Sequence, residues 1–319
     1  MWGKDVMTDV VNCFGIYDIS CMEHIEGGHI NDTFLISSAS GKYILQTINE
    51  NVYKDPEAVM DNTVKISELI NGKKDAGIKV PSYLSFAGKN HIKTDDGVFR
   101  MYEYMEETYG DSDESIYKAA YSFGKYIRVI NESKIKLHVA IEDYHNYGRY
   151  LKKLTESVSK VGKADVYGEM LDTLSSLKVK LDAVFSKNMP VRIIHGDAKI
   201  DNIIKSDPPA VIDLDTTLES FLALDYGDIV RSTVRSGDDL YKIEIINKGF
   251  FDALDGFITA KEKKSLYYGV LWSVGELAAR YLLDSFADVK YFTDKTDPQR
   301  LERVDELMRQ LKFFLSVSF

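Results

Sequence analysis

The densest chemistry in the chain lies between residues 191 and 215, which read VRIIHGDAKIDNIIKSDPPAVIDLD. Two short apolar runs end there in acidic and amide residues: Asp197 and Asn202 after the first, Asp213 and Asp215 after the second, with His195 alongside. Carboxylates at the edges of buried strands are costly unless a cation compensates them. Three readings compete. Each polar side chain could cap a turn at a strand end. A hydrolytic His-Asp pair would need a nucleophile, and no G-x-S-x-G elbow accompanies it. In a phosphoryl-transfer site, one Asp orients an acceptor hydroxyl while an Asn and a second Asp bind magnesium. That division of labour accounts for three polar positions together, whereas capping treats each separately.

The elements around this segment change character along the chain. Residues 27–51 read GGHINDTFLISSASGKYILQTINEN, in which TFLIS and YILQTI, joined by SASGK, predict a β-hairpin after a glycine-containing loop. Asp55-Pro56 opens a helix, with Asp55 as cap and Pro56 in the first turn, and Asn71-Gly72 ends it. VPSYLSF and GVFRMYEYME add two strand candidates, separated by AGKNHIKTDD. From residue 112 the apolar period lengthens to that of a helix: Ile116, Ala119, Ala120, Phe123, Ile127 and Ile130, then Leu171, Leu174, Leu177, Leu181 and Val184. The last segment places Leu301, Val304, Leu307, Met308, Leu311 and Phe314 on one helical side, which reads as core packing. The expected architecture is α+β: a small mixed sheet lobe over residues 1–107 and a larger, mainly helical lobe over 108–319, with the boundary near 105–111.

Composition sets outer limits. At 319 residues the chain can bury a full core and two lobes are the default. With 45% hydrophobic and 28% charged residues it has the make-up of an ordinary globular protein. A formal charge of -10 argues against a general nucleic-acid binder. Cys13 and Cys21 have no further cysteines at metal-site spacing and read as reduced thiols. No stretch approaches the roughly 20 apolar residues of a membrane span, and no basic-then-apolar leader opens the sequence. The expectation is a cytoplasmic protein with neither a membrane nor a nucleic-acid partner.

HGDAKIDNIIKSDPPAVIDLD resembles the catalytic and metal motifs of the aminoglycoside phosphotransferase and choline kinase superfamily, whose members share a protein-kinase-like two-lobed fold. GGHINDTFLI, YILQTINENVYKDPEAVM, RMYEYME and LDYGDIVRS extend the resemblance from about residue 27 to 235, with the N-acetylhexosamine 1-kinases as the nearer subgroup. The resemblance implies ATP and Mg2+ as cofactors and a small-molecule sugar as substrate. Asp197 would be the catalytic aspartate, Asn202 and Asp213 the magnesium ligands. Lys199 would approach the transferred phosphate or substrate, with an exposed salt bridge as the alternative. His195 is expected to hold the loop by hydrogen bonding, and Asp215 to support the metal ligands from behind, to bind metal itself, or simply to cap a turn.

Gly28, His29, Asn31 and Thr33 would cover the nucleotide, although GGHINDT matches neither a G-x-x-x-x-G-K-[ST] nor a full G-x-G-x-x-G pattern. Gln46 stands where the wider family carries a cation reaching the nucleotide phosphates. Lys42, sharing a strand side with Ile44 and Gln46, is a candidate substitute, and Glu57, Asp61 or Glu68 a candidate helix acid. Tyr102, Glu103, Tyr104 and Met105 would line the adenine pocket between the lobes. Downstream, Asp228 would brace the catalytic loop, while Arg231 and Arg235, four apart, would share a helix side and face acceptor or pair with acids. Tyr144, Tyr147 and Tyr150 are at helical spacing and read as packing residues.

A neutral N-acetyl sugar fits better than a polycation or choline, which would favour an acidic cleft or an aromatic cage. The expected reaction is transfer of the ATP γ-phosphate to the anomeric hydroxyl of N-acetylglucosamine or N-acetylgalactosamine. The rivals are another small-molecule kinase of the superfamily, acting on choline, homoserine or another sugar, and a nucleotide-binding regulatory protein without turnover.

Overall fold

The structure is a computed structural model that describes residues 4–25, 30–106 and 112–317. The chain opens with helix α1 (Lys4–Cys13), strands β1 (Ile19–His24), β2 (Asp32–Ser38) and β3 (Gly41–Ile48), helix α2 (Pro56–Asn71), and strands β4 (Ile92–Thr94) and β5 (Gly97–Glu103). The five strands form one antiparallel sheet in the order β1-β2-β3-β5-β4. Strand alternation divides its side chains between two faces. Phe34, Ile36, Tyr43, Leu45, Phe99 and Met101 point to one face and bury Met7, Val10, Val11 and Phe14 of α1. Gln46, Ile48, Val98, Arg100 and Tyr102 lie on the other face, where Ile48 and Val98 pack on Val59 and Met60 of α2. The expected hairpin is β2 and β3, and the expected helix is α2, where the Ala58 amide donates to the Asp55 carboxylate at 3.0 Å.

The stretch 80–86 departs from expectation. It contributes single bridges, Tyr83 to Tyr102 and Phe86 to Lys89, and not a regular strand. Pro81 removes a ladder donor there, while Ile92–Thr94, inside the segment read as a connection, pairs with β5 instead. The expected lobe boundary falls on residues 107–111, outside the described residues.

The larger lobe carries helices α3 (Asp113–Ser133), α4 (Tyr147–Lys160), α5 (Ala164–Val184), α6 (Leu222–Thr233), α7 (Lys242–Ala253), α8 (Ala260–Phe286) and α9 (Asp297–Ser316) around one core. The change of period at residue 112 is the start of α3, whose Ser112 cap accepts the Ser115 amide at 3.2 Å. Two small antiparallel ladders break the helical run: β6 (Arg192–Ile194) with β9 (Leu218–Ser220), and β7 (Ile203–Ile204) with β8 (Ala210–Val211). The polar residues of 195–215 sit in the connections between these strands. α8 runs through the lobe centre and meets α6 with no side chain between them: a Cβ on Gly227 would lie 2.3 Å from the Gly269 carbonyl oxygen, and one on Gly269 1.9 Å from that of Ala223. Among the described residues, no helix is long and apolar enough to cross a membrane.

Candidate active site

The loop carrying Asp197 and Asn202 leaves β6 at His195. The His195 ring is fully buried, and burial holds its pKa below the ordinary imidazole value. A neutral ring fits its partners: Nε2 donates to the Ile212 carbonyl at 2.9 Å, and Nδ1 accepts the Asp197 amide at 3.3 Å. His195 therefore ties the loop to the segment leading into Asp213, a holding role, as its sequence context suggested. Gly196 follows at φ 81, in the left-handed region, where a Cβ would lie 2.4 Å from the Thr216 carbonyl oxygen; only glycine fits.

Two supports grip this loop from the helical side. The Asp225 carboxylate accepts the His195 and Gly196 amides, each at 2.8 Å. The brace expected of Asp228 is thus provided by Asp225, one helical turn earlier, because Asp228 is engaged by Arg231 (2.8 Å) and the Ser273 hydroxyl. The second support is His145, itself at φ 56, whose ring bridges the Gly196 carbonyl at 2.8 Å and Glu276 Oε1 at 3.0 Å. Burial works against a charged ring, but Glu276 outweighs it and raises His145 to about 9. The imidazolium donates to both partners. Trp272 Nε1 donates to the other Glu276 oxygen at 2.7 Å.

Asp197 is half-buried, with Lys199 Nζ 3.0 Å from its Oδ2. Burial alone would raise its pKa; the Lys199 and Arg231 cations outweigh burial and hold the carboxyl below the usual range. It is ionised and ready to accept a proton hydrogen bond. Asn202 Nδ2 donates to the Asp197 carbonyl (2.8 Å) and to its carboxylate (3.1 Å), which leaves the Asn202 amide oxygen as an acceptor. The backbone bond from Ile212 N–H to the Asn202 carbonyl, 3.0 Å, brings Asp213 alongside. Asp213 is half-buried, and no described side chain donates a hydrogen bond to its carboxylate. Burial and the neighbouring Asp215 raise it to about 6, the behaviour of a carboxylate that lacks its counter-charge. No group of three or more His, Cys, Asp or Glu among the described residues could hold a metal by itself. One amide oxygen and one unpartnered carboxylate fit a magnesium ion whose remaining ligands are phosphate oxygens and water.

Asp215 caps no turn and its carboxylate is not free to bind a metal, which leaves, of its expected roles, that of supporting the segment of Asp213 from behind. Its carboxylate is fully committed across the lobes: Arg100 of β5 donates to both oxygens, at 2.5 and 2.9 Å, and Asn31 Nδ2 donates at 2.8 Å. Arg100 is itself 1% exposed, donates through Nε to Gln46 Oε1 at 3.0 Å, and lies over the Tyr83 ring. Gln46 Nε2 in turn donates to Thr33 Oγ1 at 3.1 Å. The cation beside Gln46 is thus Arg100 of the neighbouring strand β5, and its donors are turned to Asp215 and Gln46. Lys42 lies over the Tyr104 ring at the far end of β3, and the helix acids are engaged elsewhere, Glu57 beside Lys93 and Asp61 with Lys65 and His138.

Of the remaining expected positions, Gly28 and His29 lie outside the described residues. Asn31, Thr33 and Gln46 meet in the network around Arg100. Glu103 ends β5, and the Tyr104 amide donates to the Lys42 carbonyl at 2.9 Å, placing Glu103, Tyr104 and Met105 at the edge of the sheet that leads to the helical lobe. Arg231 lies on α6 beside Asp228 and within electrostatic reach of Asp197. Arg235 does not share its helix side: α6 ends at Thr233, and Arg235 is exposed beyond it.

Sequence reading missed Arg280 of α8. Its guanidinium stands 4.9 Å from the Tyr291 ring centroid, 5.0 Å from Tyr144, 5.7 Å from Phe292 and 5.9 Å from Tyr150. It forms no salt bridge among the described residues, although the Glu276 charge acts on it. Tyr144 and Tyr291 of this aromatic wall both lie within electrostatic reach of Asp197. Tyr147 alone of the three spaced tyrosines is a core residue, its hydroxyl donating to the Leu174 carbonyl; Tyr144 precedes α4. The wall assembles residues from three distant segments, so no local spacing announces it.

Comparison with known proteins agrees with this arrangement. Residues 22–255 match the model of the phosphotransferase enzyme family. Among solved structures, a microcompartment-associated aminopropanol kinase superposes with a TM-score of 0.68 at 12% identity, covering 98% of this chain and 97% of that one. A spectinomycin phosphotransferase in complex with ADP and spectinomycin gives 0.64 at 14% identity, covering 98% and 97%. Choline kinase from Cryptosporidium parvum gives 0.64 at 11%, covering 98% and 96%. With the family model spanning residues 22–255 and the solved structures sharing the fold of both lobes, the chain belongs to the phosphotransferase enzyme family.

Proposed function

We propose that the chain transfers the γ-phosphate of ATP to the anomeric hydroxyl of an N-acetylhexosamine, giving the sugar 1-phosphate. The observation that carries the choice of acceptor is the wall of Tyr144, Tyr150, Tyr291 and Phe292 around the Arg280 guanidinium, which forms no salt bridge among the described residues. A choline or aminoglycoside cation would meet like charge there. A neutral sugar offers apolar ring faces to the aromatic groups and hydroxyl or acetamido oxygens to the guanidinium.

In this reading Asp197 orients the sugar hydroxyl and takes its proton as the phosphoryl group arrives. Lys199, 3.0 Å from Asp197, keeps that carboxylate ionised and faces the incoming phosphate. Asn202 and Asp213 would hold Mg2+, which neutralises charge on the nucleotide phosphates when bound. The segment preceding β2, with Gly28 and His29, would cover the nucleotide, and Glu103–Met105 would border the base. Arg231 serves the acceptor side through Asp228, holding the floor below Asp197.

Mass-resolved product formation with MgATP and N-acetylglucosamine, N-acetylgalactosamine, glucose, choline or an aminoglycoside tests the proposal. An N-acetylhexosamine gaining one phosphate and losing its reducing end is the expected result; phosphorylation of a cationic acceptor alone would refute the assignment. Asp197→Asn is expected to lower turnover about 1000-fold while nucleotide binding persists.

A further inference from the structure

Asp213 has φ 61 and ψ 55, a left-handed conformation that a non-glycine residue keeps only when its surroundings impose it. The constraint comes from both sides. Before Asp213, the Ile212 amide and carbonyl are fixed by Asn202 and His195 of the catalytic loop. After it, Leu214 accepts the Thr217 hydroxyl at 2.8 Å, and Asp215 is gripped by Arg100 and Asn31 of the sheet lobe. One anchor is thus internal to the helical lobe and the other reaches across from the sheet.

The cross-lobe anchor is continuous. From Asp215 it runs through the Arg100 guanidinium to Gln46 of β3 and Thr33 of β2, and directly to Asn31, which adjoins the segment read as covering the nucleotide. The Asn31 side-chain oxygen also accepts the Asn49 amide at 3.0 Å, so Asn31 cannot swing independently of the sheet. A displacement of Asn31 or Gln46 relative to the helical lobe is passed through these bonds to Asp215, two residues from Asp213. A planar fork holding both carboxylate oxygens fixes orientation as well as distance, which a neutral pair does not.

We propose that Arg100 is a positioning residue whose charged fork on Asp215 couples nucleotide binding in the sheet lobe to cation binding at Asp213. The inference rests on the reading of Asp213 as a magnesium ligand. It assigns to Arg100 a function absent from Gln46: joining the nucleotide edge to the metal segment without touching the reacting atoms.

The test is calorimetric ADP affinity with and without Mg2+, for the wild-type chain and for the double variant Arg100→Gln/Asp215→Asn. The double variant removes both charges together and leaves no bare carboxylate in the interior, so it is expected to fold where Arg100→Gln alone fails. In the wild type Mg2+ is expected to tighten ADP about tenfold or more; in the double variant that gain is expected to fall at least about fivefold, with metal-free ADP affinity changed less than about threefold. Arg100→Lys, retaining charge without the fork, is expected to lie between. An unchanged magnesium gain in the double variant overturns the coupling, and so does an equal loss of affinity with and without Mg2+, since that marks a structural role only. A wild-type chain that binds ADP with no magnesium gain overturns it as well. A wild-type chain that binds no ADP under either condition would sink the kinase reading itself, a different outcome.

Discussion

Two buried ion pairs hold the site from opposite sides, and they differ in what can undo them. Arg100–Asp215 joins β5 to the segment after Asp213, and its guanidinium keeps its charge throughout the working pH range. His145–Glu276 lies wholly within the helical lobe, under the Gly196 carbonyl, and depends on a proton held up to about pH 9. The lobe-spanning contact is therefore permanent, whereas the contact beneath the catalytic loop is titratable. Rigidity at the nucleotide side and conditional support at the catalytic side come from the choice of one cation over another.

The comparison breaks most severely if Glu276 is removed. Glu276→Leu leaves His145 and Trp272 Nε1 in the interior without their acceptor, and a loss of about 3–5 kcal/mol is expected in urea denaturation at pH 7. A milder break uses pH alone. The folded value of His145 lies above the ordinary 6.5, so the pair's contribution is complete below about pH 6.5 and is lost as pH rises through about 9. Roughly 3 kcal/mol of stability should disappear over that window in the wild type, and His145→Gln should lack this alkaline limb when both are followed by denaturation. Burial opposes the charged ring, while the Glu276 and Gly196 oxygens that contact it and the more remote Asp228 charge favour it. The smallest effect sharpens the contrast by exclusion: Asp61→Asn removes an exposed acid bound to Lys65 and His138, and should change stability by less than about 1 kcal/mol and leave turnover unchanged. Loss of activity in that variant would return the helix acid to the nucleotide network.

How much of this was legible in the sequence follows from range. The hairpin, the Asp55 cap and the helix beginning at Ser112 are written in spacings of two to four residues, and they stand where the spacing put them. Asp197, Asn202 and Asp213 also lie within one short stretch, and the two small ladders bring them together. Arg100 left a faint mark, a cation on the inward side of a strand between Val98 and Tyr102. Its meaning lay 115 residues away, at Asp215. Arg280 left none, because its aromatic neighbours come from residues before α4, from α4 and from the stretch after α8. The exchange of roles between Asp225 and Asp228 was likewise invisible: both acids lie on α6, and only packing against β6 and α8 decides which one meets the loop amides. Pro81 was the one local signal underweighted, and it is the reason 80–86 forms bridges in place of a strand.

The crossing of α6 and α8 at Gly227 and Gly269 has a consequence for how acceptor choice can change. With backbone against backbone, neither helix can slide or rotate without steric overlap. Asp225 and Asp228 ride on one member of this pair, and Ser273, Glu276 and Arg280 on the other. The separation between Arg280 and the Asp225 that holds the His195 and Gly196 amides is thereby set like a mark on a ruler. Under the proposed function, retuning to a larger, smaller or differently charged acceptor would proceed by exchanging side chains around Arg280 and along the stretch that follows α8, because the close helix crossing resists movement of the helix itself.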